Sequence, residues 1–143
     1  MWAISSDVAA SIRRIFGPDA ETSVLTVAGE AVLRVTRGGA LLGFATVRTV
    51  KGKDQPITLL VAIDSDDRLK DVDVLVYREP YGGEVAYEAW RRQFRGKSAT
   101  DSLRVGREIR AISGATISVN AVTLGVKRAL AELTQWHQTG AMQ

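Results

Sequence analysis

Residues 31–77, AVLRVTRGGALLGFATVRTVKGKDQPITLLVAIDSDDRLKDVDVLVY, decide the fold. Val32-Leu33-Arg34-Val35-Thr36 alternates apolar and polar side chains, which a half-buried strand requires because successive residues face opposite ways. Arg37-Gly38-Gly39 supplies a turn, and 41–50 resumes the β-branched alternation with Phe44 and a glycine kink at Gly43. Lys51-Gly52-Lys53-Asp54 gives a second turn, 57–63 a continuous apolar strand, and Asp64-Ser65-Asp66-Asp67 a third turn. Residues 69–77 alternate again through Val72, Val74 and Val76. Four strands joined by short polar turns predict an antiparallel meander.

On the N-terminal side, Val8, Ile12, Ile15 and Phe16 recur at three- and four-residue intervals, from Ser5 or Ser6 to the stop at Gly17-Pro18. This predicts an amphipathic helix, capped by Ser6 or Asp7, whose apolar stripe packs on the sheet. Beyond the meander, Arg78-Glu79-Pro80-Tyr81-Gly82-Gly83 reads as a loop. Val85, Ala86, Ala89, Trp90 and Phe94 predict one helix over 84–94, stopped by Gly96. A last long helix carries Val122, Val126, Ala129, Leu130, Leu133 and Trp136 inward, with Lys127, Arg128, Glu132 and Gln135 in solvent. The expected architecture is α+β, an antiparallel meander with helices packed on it, in a single domain over 1–143 with its core at about 12–133.

Composition narrows the chemistry. A chain of 143 residues with 45% hydrophobic residues can bury one core, and 24% charged residues is ordinary. No cysteine is present, which excludes disulfides, thiolate metal sites and a cysteine nucleophile. The lone His137 disfavours histidine metal sites and Ser-His-Asp chemistry, and its position predicts a solvated helix-end residue. The acidic turn at 64–67 lacks the spacing and terminal glutamate of a calcium loop. No apolar run reaches the roughly 18 to 20 residues needed to cross a bilayer, and MWAISSDVAASIRR does not read as a signal peptide. Trp2 and Trp136 read as packing residues or end anchors.

The net charge of +3 is too small to imply nucleic acid without a concentrated patch. Arg91, Arg92, Arg95, Lys97, Arg104, Arg107 and Arg110 do crowd one region. Its aromatics, Trp90 and Phe94, fall on an apolar helix stripe and read as core. The basic run fits charge facing an anionic cofactor, or a redox partner's docking surface, better than it fits nucleic acid.

The segment 111–126, AISGATISVNAVTLGV, places small residues and hydroxyls where the last helix begins. Gly114 and Ala115 let a bulky group approach the backbone, and the first helical turn offers free N–H groups and the positive end of the macrodipole. That suits a phosphate, with Ser113, Thr116 and Ser118 adding hydroxyls. The same residues also suit a plain turn with a Ser or Thr cap.

Ser113-Gly114-Ala115-Thr116 resembles the flavinylation motif of the FMN-binding domain family. This family includes flavin-carrying subunits of sodium-translocating NADH:quinone reductases and Rnf-type complexes, and periplasmic domains of nitrous-oxide-reductase regulators. The tetrapeptide is a weak signal alone. The order of strands, glycine loop, Gln93-Phe94-Arg95-Gly96-Lys97, motif and closing helix carries the resemblance, as does Phe16-Gly17-Pro18-Asp19-Ala20. It implies an electron carrier holding FMN through a phosphoester to Thr116, attached by an FAD-dependent flavin transferase. The threonine is then an attachment point without a catalytic role, and the redox chemistry belongs to the cofactor.

The resemblance further implies Ile117 beside the motif at the cofactor, and Gly82 and Gly83 close to the flavin. It suggests Tyr81 for stacking on the ring and Arg78 for its N1–C2=O edge. It implies redox partner proteins and an extracytoplasmic, periplasmic place in or tethered to a membrane complex. Modified members usually carry an aspartate six residues before the threonine, where this chain has Arg110. That arginine either weakens recognition by the transferase or pairs with the phosphate and favours noncovalent FMN. A noncovalent FMN sensor and a flavin-free domain of the same fold are the alternatives.

Overall fold

In the computed structural model, residues 5–80 and 82–143 are described, so Trp2 and Tyr81 lie outside the described residues. Helix α1 (Ser6–Phe16) precedes five strands, β1 (Glu21–Val27), β2 (Glu30–Arg37), β3 (Ala40–Lys51), β4 (Pro56–Asp64) and β5 (Leu69–Val76). All neighbours pair antiparallel, and the spatial order β1-β2-β3-β4-β5 is the chain order. The expected α+β meander is present, with one strand more than the sequence pattern predicts. Strand β1 is mostly exposed, and only Val27 is buried, so its apolar residues leave little alternation to read.

The sheet is covered on both faces. Val8, Ile12 and Phe16 of α1 pack on Leu33, Val35, Ala45, Leu60 and Ala62. The opposite face, with Phe44, Leu59, Val61, Ile63 and Val72, lies under helix α3 (Thr116–Gln138) through Val119, Val122, Val126, Leu130 and Leu133. Strand β4 contributes to both layers, which explains why 57–63 is apolar without alternation. Each fully buried aliphatic side chain there contributes about 1.5–3 kcal/mol of transfer free energy.

Three local expectations are corrected. The cap of α1 is Ser5, whose Oγ accepts the Val8 N–H at 3.3 Å, in place of Ser6 or Asp7. Glu132 is half-buried, with its carboxylate 2.7 Å from Arg48 Nη1. The single helix expected over 84–94 is a 3₁₀ turn (Gly83–Ala86), a short helix α2 (Glu88–Arg91) and a second 3₁₀ turn (Arg92–Phe94), broken at the extended residue Tyr87. A buried arginine accounts for the break. Arg91 Nε donates to the Ala86 carbonyl at 2.8 Å, occupying the acceptor that Trp90 N–H would use in a continuous helix. Trp90 N–H turns to the Tyr87 carbonyl, and Arg91 Nη1 donates to Val72 on β5 at 2.6 Å. Trp90 and Phe94 are buried core residues, as their spacing implies.

Strand β5 is not a bare edge. Its first residue exchanges backbone hydrogen bonds with the chain at 96–97, with Gly96 N–H donating to the Leu69 carbonyl and Leu69 N–H to that of Lys97, both at 2.7 Å. This contact and Arg91 fix the irregular segment that leads to α3 against the end of the sheet.

Candidate functional site

Helix α3 begins at Thr116 with Ala115 in the capping position. Alanine has no side-chain acceptor, and among the described residues no side chain caps this terminus. The first turn also contains no acidic residue. The first intrahelical bond is donated by Val119 N–H to the Ala115 carbonyl, so the preceding amides lack intrahelical acceptors. Those free donors, with the positive end of a 23-residue helix behind them, form a site for a dianion or a phosphodiester. The cap reading of the hydroxyls does not hold here. Ser113 and Thr116 are exposed, and Gly114 takes a left-handed φ of +78° that turns the chain into the helix.

A concavity of about 320 Å³ opens at this terminus, lined by Gly114, Ala115, Thr116, Ile117 and Ser118, and across from them by Lys53, Asp54, Glu79 and Pro80. That volume is at the small end of ligand pockets. Ser118 is buried, and its Oγ lies 3.2 Å from Tyr77 Oη, which fixes the inner wall. Gly82 closes the wall from the other side. A Cβ at that position would lie 2.7 Å from Tyr77 Oη and 3.1 Å from both Ala115 Cβ and Ser118 Oγ, so the glycine loop and the SGAT turn meet without a side chain between them.

The structure thus brings Gly114–Ser118 and Gly82 together, with Gly83 half-buried behind them. Two expected cations stand elsewhere. Arg78 is exposed and does not line the pocket. Arg110 donates from Nη2 to the Ala89 carbonyl at 2.6 Å and from its backbone N–H to Gln93 Oε1 at 2.7 Å, and its carbonyl accepts from Trp90 Nε1. Its role in this structure is to pin the approach to the motif. The rest of the basic run is also partly consumed within the fold, since Arg91 is buried and Arg95 pairs with Asp71 and Glu88.

The cation that does line the pocket is Lys53, from the β3–β4 turn. Glu79 holds that turn, with Oε1 accepting the N–H groups of Asp54 at 2.6 Å and Gln55 at 2.7 Å. The amides of Gln55 and Asp54 hold its carboxyl below the ordinary glutamate range. The sequence pattern marks 51–54 only as a turn and 78–83 only as a loop. No local signal joins a turn about 60 residues away to the motif, and only the sheet register brings them to one end.

A model of the FMN-binding domain family matches residues 52–131, more than half of the chain, and the chain belongs to that family. Its cofactor is FMN. It is 32% identical over 106 residues to a component of the proton-translocating ferredoxin:NAD(+) oxidoreductase complex of Clostridium ljungdahlii, covering 68% of this chain and 57% of that protein. It is 33% identical over 103 residues to a component of the Na(+)-translocating ferredoxin:NAD(+) oxidoreductase complex of Acetobacterium woodii, covering 64% and 49%. The chain therefore spans about half the length of these relatives. The crystal structure of Shewanella oneidensis NqrC shares the fold, with a TM-score of 0.58 and 19% identity over 90% of this chain and 72% of that one.

Proposed function

We propose that this domain carries electrons between redox partner proteins on one FMN, joined through its phosphate to Thr116. The observation that carries this reading is an exposed threonine hydroxyl at an uncapped, acid-free helix terminus, on the rim of the pocket. FMN supplies the electron chemistry when bound. The chain supplies the rest. The α3 amides hold the phosphate, and Gly114 leaves the backbone open to the cofactor. Gly82 lets the glycine loop seat against Ala115 and Ser118, and Ser118 with Tyr77 keeps the wall in place.

Attachment requires a flavin transferase using FAD. The Thr116 oxygen bonds to the phosphorus on the FMN side, the pyrophosphate linkage breaks, AMP leaves, and the hydroxyl proton passes to a base of the transferase. Exposure of Thr116 supports access for that enzyme. Arg110, at the place where modified relatives usually have aspartate, supports a second reading in which FMN is held noncovalently. The relatives' names include ion translocation, which supports a place beside a membrane complex, and the extracytoplasmic side is proposed on the family resemblance alone. No helix among the described residues is long and apolar enough to cross a membrane.

Intact mass of protein co-expressed with a flavin transferase, beside Thr116→Ala, tests the assignment. A gain equal to FMN minus water, absent in the variant, is the expected result. Yellow protein of unmodified mass selects noncovalent binding, and colourless protein of unmodified mass overturns the carrier reading.

A further inference from the structure

We propose that Lys53 is a flavin-positioning residue, an ammonium presented to the bound FMN by a hairpin tip that Glu79 latches in place. The proposal rests on the FMN-carrier reading above and names a residue that the motif does not contain. Three observations carry it. Lys53 is the cation among the residues lining the pocket, facing the helix terminus that bears Thr116. Its place is built: one carboxylate oxygen of Glu79 accepts two successive backbone amides, at 2.6 and 2.7 Å, on the residues directly after Lys53. The turn is further closed by Gly52 N–H donating to the Gln55 carbonyl at 3.1 Å.

The latch also depends on Gly52. A Cβ at that position would stand 2.8 Å from Glu79 Oε1 and 2.7 Å from the Gln55 carbonyl oxygen, so the carboxylate seats only against a bare backbone. A lysine on an untethered turn would spread its charge over many positions, and solvent would screen it. Tethering the two residues that follow fixes where its stem begins, which makes its field on the cofactor consistent. An added electron places negative charge on the flavin, and a nearby cation stabilises it. Lys53 therefore makes the bound flavin easier to reduce. Asp54 and Glu79 line the same pocket, so Lys53 offsets two carboxylates there. Glu79 acts both through the placement of Lys53 and through its own charge. Arg78 and Arg110, the cations expected from sequence, are outside this lining.

The test compares wild type with Lys53→Gln, Glu79→Ala and Glu79→Gln, each loaded with FMN and titrated electrochemically. Lys53→Gln should lower the ratio of reduced to oxidised flavin at a fixed poise by about tenfold while leaving the unfolding midpoint unchanged. Glu79→Gln keeps an oxygen that accepts both N–H groups but loses the carboxylate's own charge, which Glu79→Ala loses as well. Glu79→Ala should therefore give a lower ratio than Glu79→Gln, with Lys53 intact in both. Amide hydrogen exchange on flavin-free protein reads the latch separately. Asp54 and Gln55 should exchange faster in Glu79→Ala and unchanged in Lys53→Gln. A yellow Lys53→Gln protein with the wild-type ratio overturns the proposal and leaves the FMN reading standing. Wild type that stays colourless after loading sinks both, whatever the exchange rates show.

Discussion

At position 82 the backbone takes φ +81° and lies directly against Ala115 and Ser118. Alanine there meets two costs. A left-handed residue with a Cβ is strained by about 1–2 kcal/mol, and the new methyl must displace Tyr77 Oη or the wall of the pocket. Gly82→Ala is expected to lose about 2–3 kcal/mol in urea unfolding and to retain less FMN, whereas Gly83→Ala, whose Cβ has only Tyr77 Cε1 within reach at 4.0 Å, should do little of either. Absorbance after gel filtration and denaturation curves check both. The residue scale is also where the sequence is most unevenly legible. The start of α3 at Thr116 can be read because small residues and hydroxyls ahead of an apolar helical stripe have a local physical meaning. His137 cannot. Its Nδ1 is 2.6 Å from Asp67 Oδ1 and its ring is tilted over Phe44 at 5.0 Å, partners 70 positions and 93 positions away in a chain that gives no local sign of them.

At the scale of elements, α1 is tied to β5 through one carboxylate. Asp73 accepts from Ser11 Oγ and from Arg14 Nη2, both at 2.7 Å, and stands 3.6 Å from Arg91 Nη1. Burial alone would raise its pKa, but the hydrogen bonds from Ser11 and Arg14 and the charges of Arg14 and Arg91 outweigh it and hold the carboxyl below 3.8. A folded pKa below the unfolded one means the stabilisation is complete above pH 3.8 and is lost as pH falls toward and through the lower folded value. Asp73→Asn should cost about 1–2 kcal/mol at neutral pH, the exposed half of Arg14 keeping it at the low end, and should flatten the loss of stability on acidification. Urea midpoints from pH 7 down to pH 3 measure this; an unchanged acid slope would refute the assignment. The strands of the meander are legible because their alternation is local. The break at Tyr87 is not, since it depends on Arg91 reaching carbonyls on two other segments.

For the molecule as a whole, α3 supplies one face of the core through Val119, Val122, Val126, Leu130 and Leu133 and the candidate anion site through the amides of its first turn. Gly125 shows how closely it is seated. A Cβ there would stand 2.5 Å from Val50 Cγ1, so the roughly 1 kcal/mol of helix propensity that alanine gains is outweighed by overpacking of about 1–3 kcal/mol. Gly125→Ala is expected to lower the melting temperature, which calorimetry would show. The general α+β layout could be read from periodicity, whereas the pairing of the β3–β4 turn with the start of α3 required the completed sheet.

Because spatial order follows chain order from β1 to β5, the sheet can assemble as it leaves the ribosome, one hairpin at a time. Its face made of Phe44, Leu59, Val61 and Ile63 stays uncovered until α3 emerges, and the amides of the first α3 turn do not exist before then. The cofactor site is thereby completed only once α3 has emerged, and on the proposed reading a nascent chain paused ahead of Thr116 offers a flavin transferase nothing to modify.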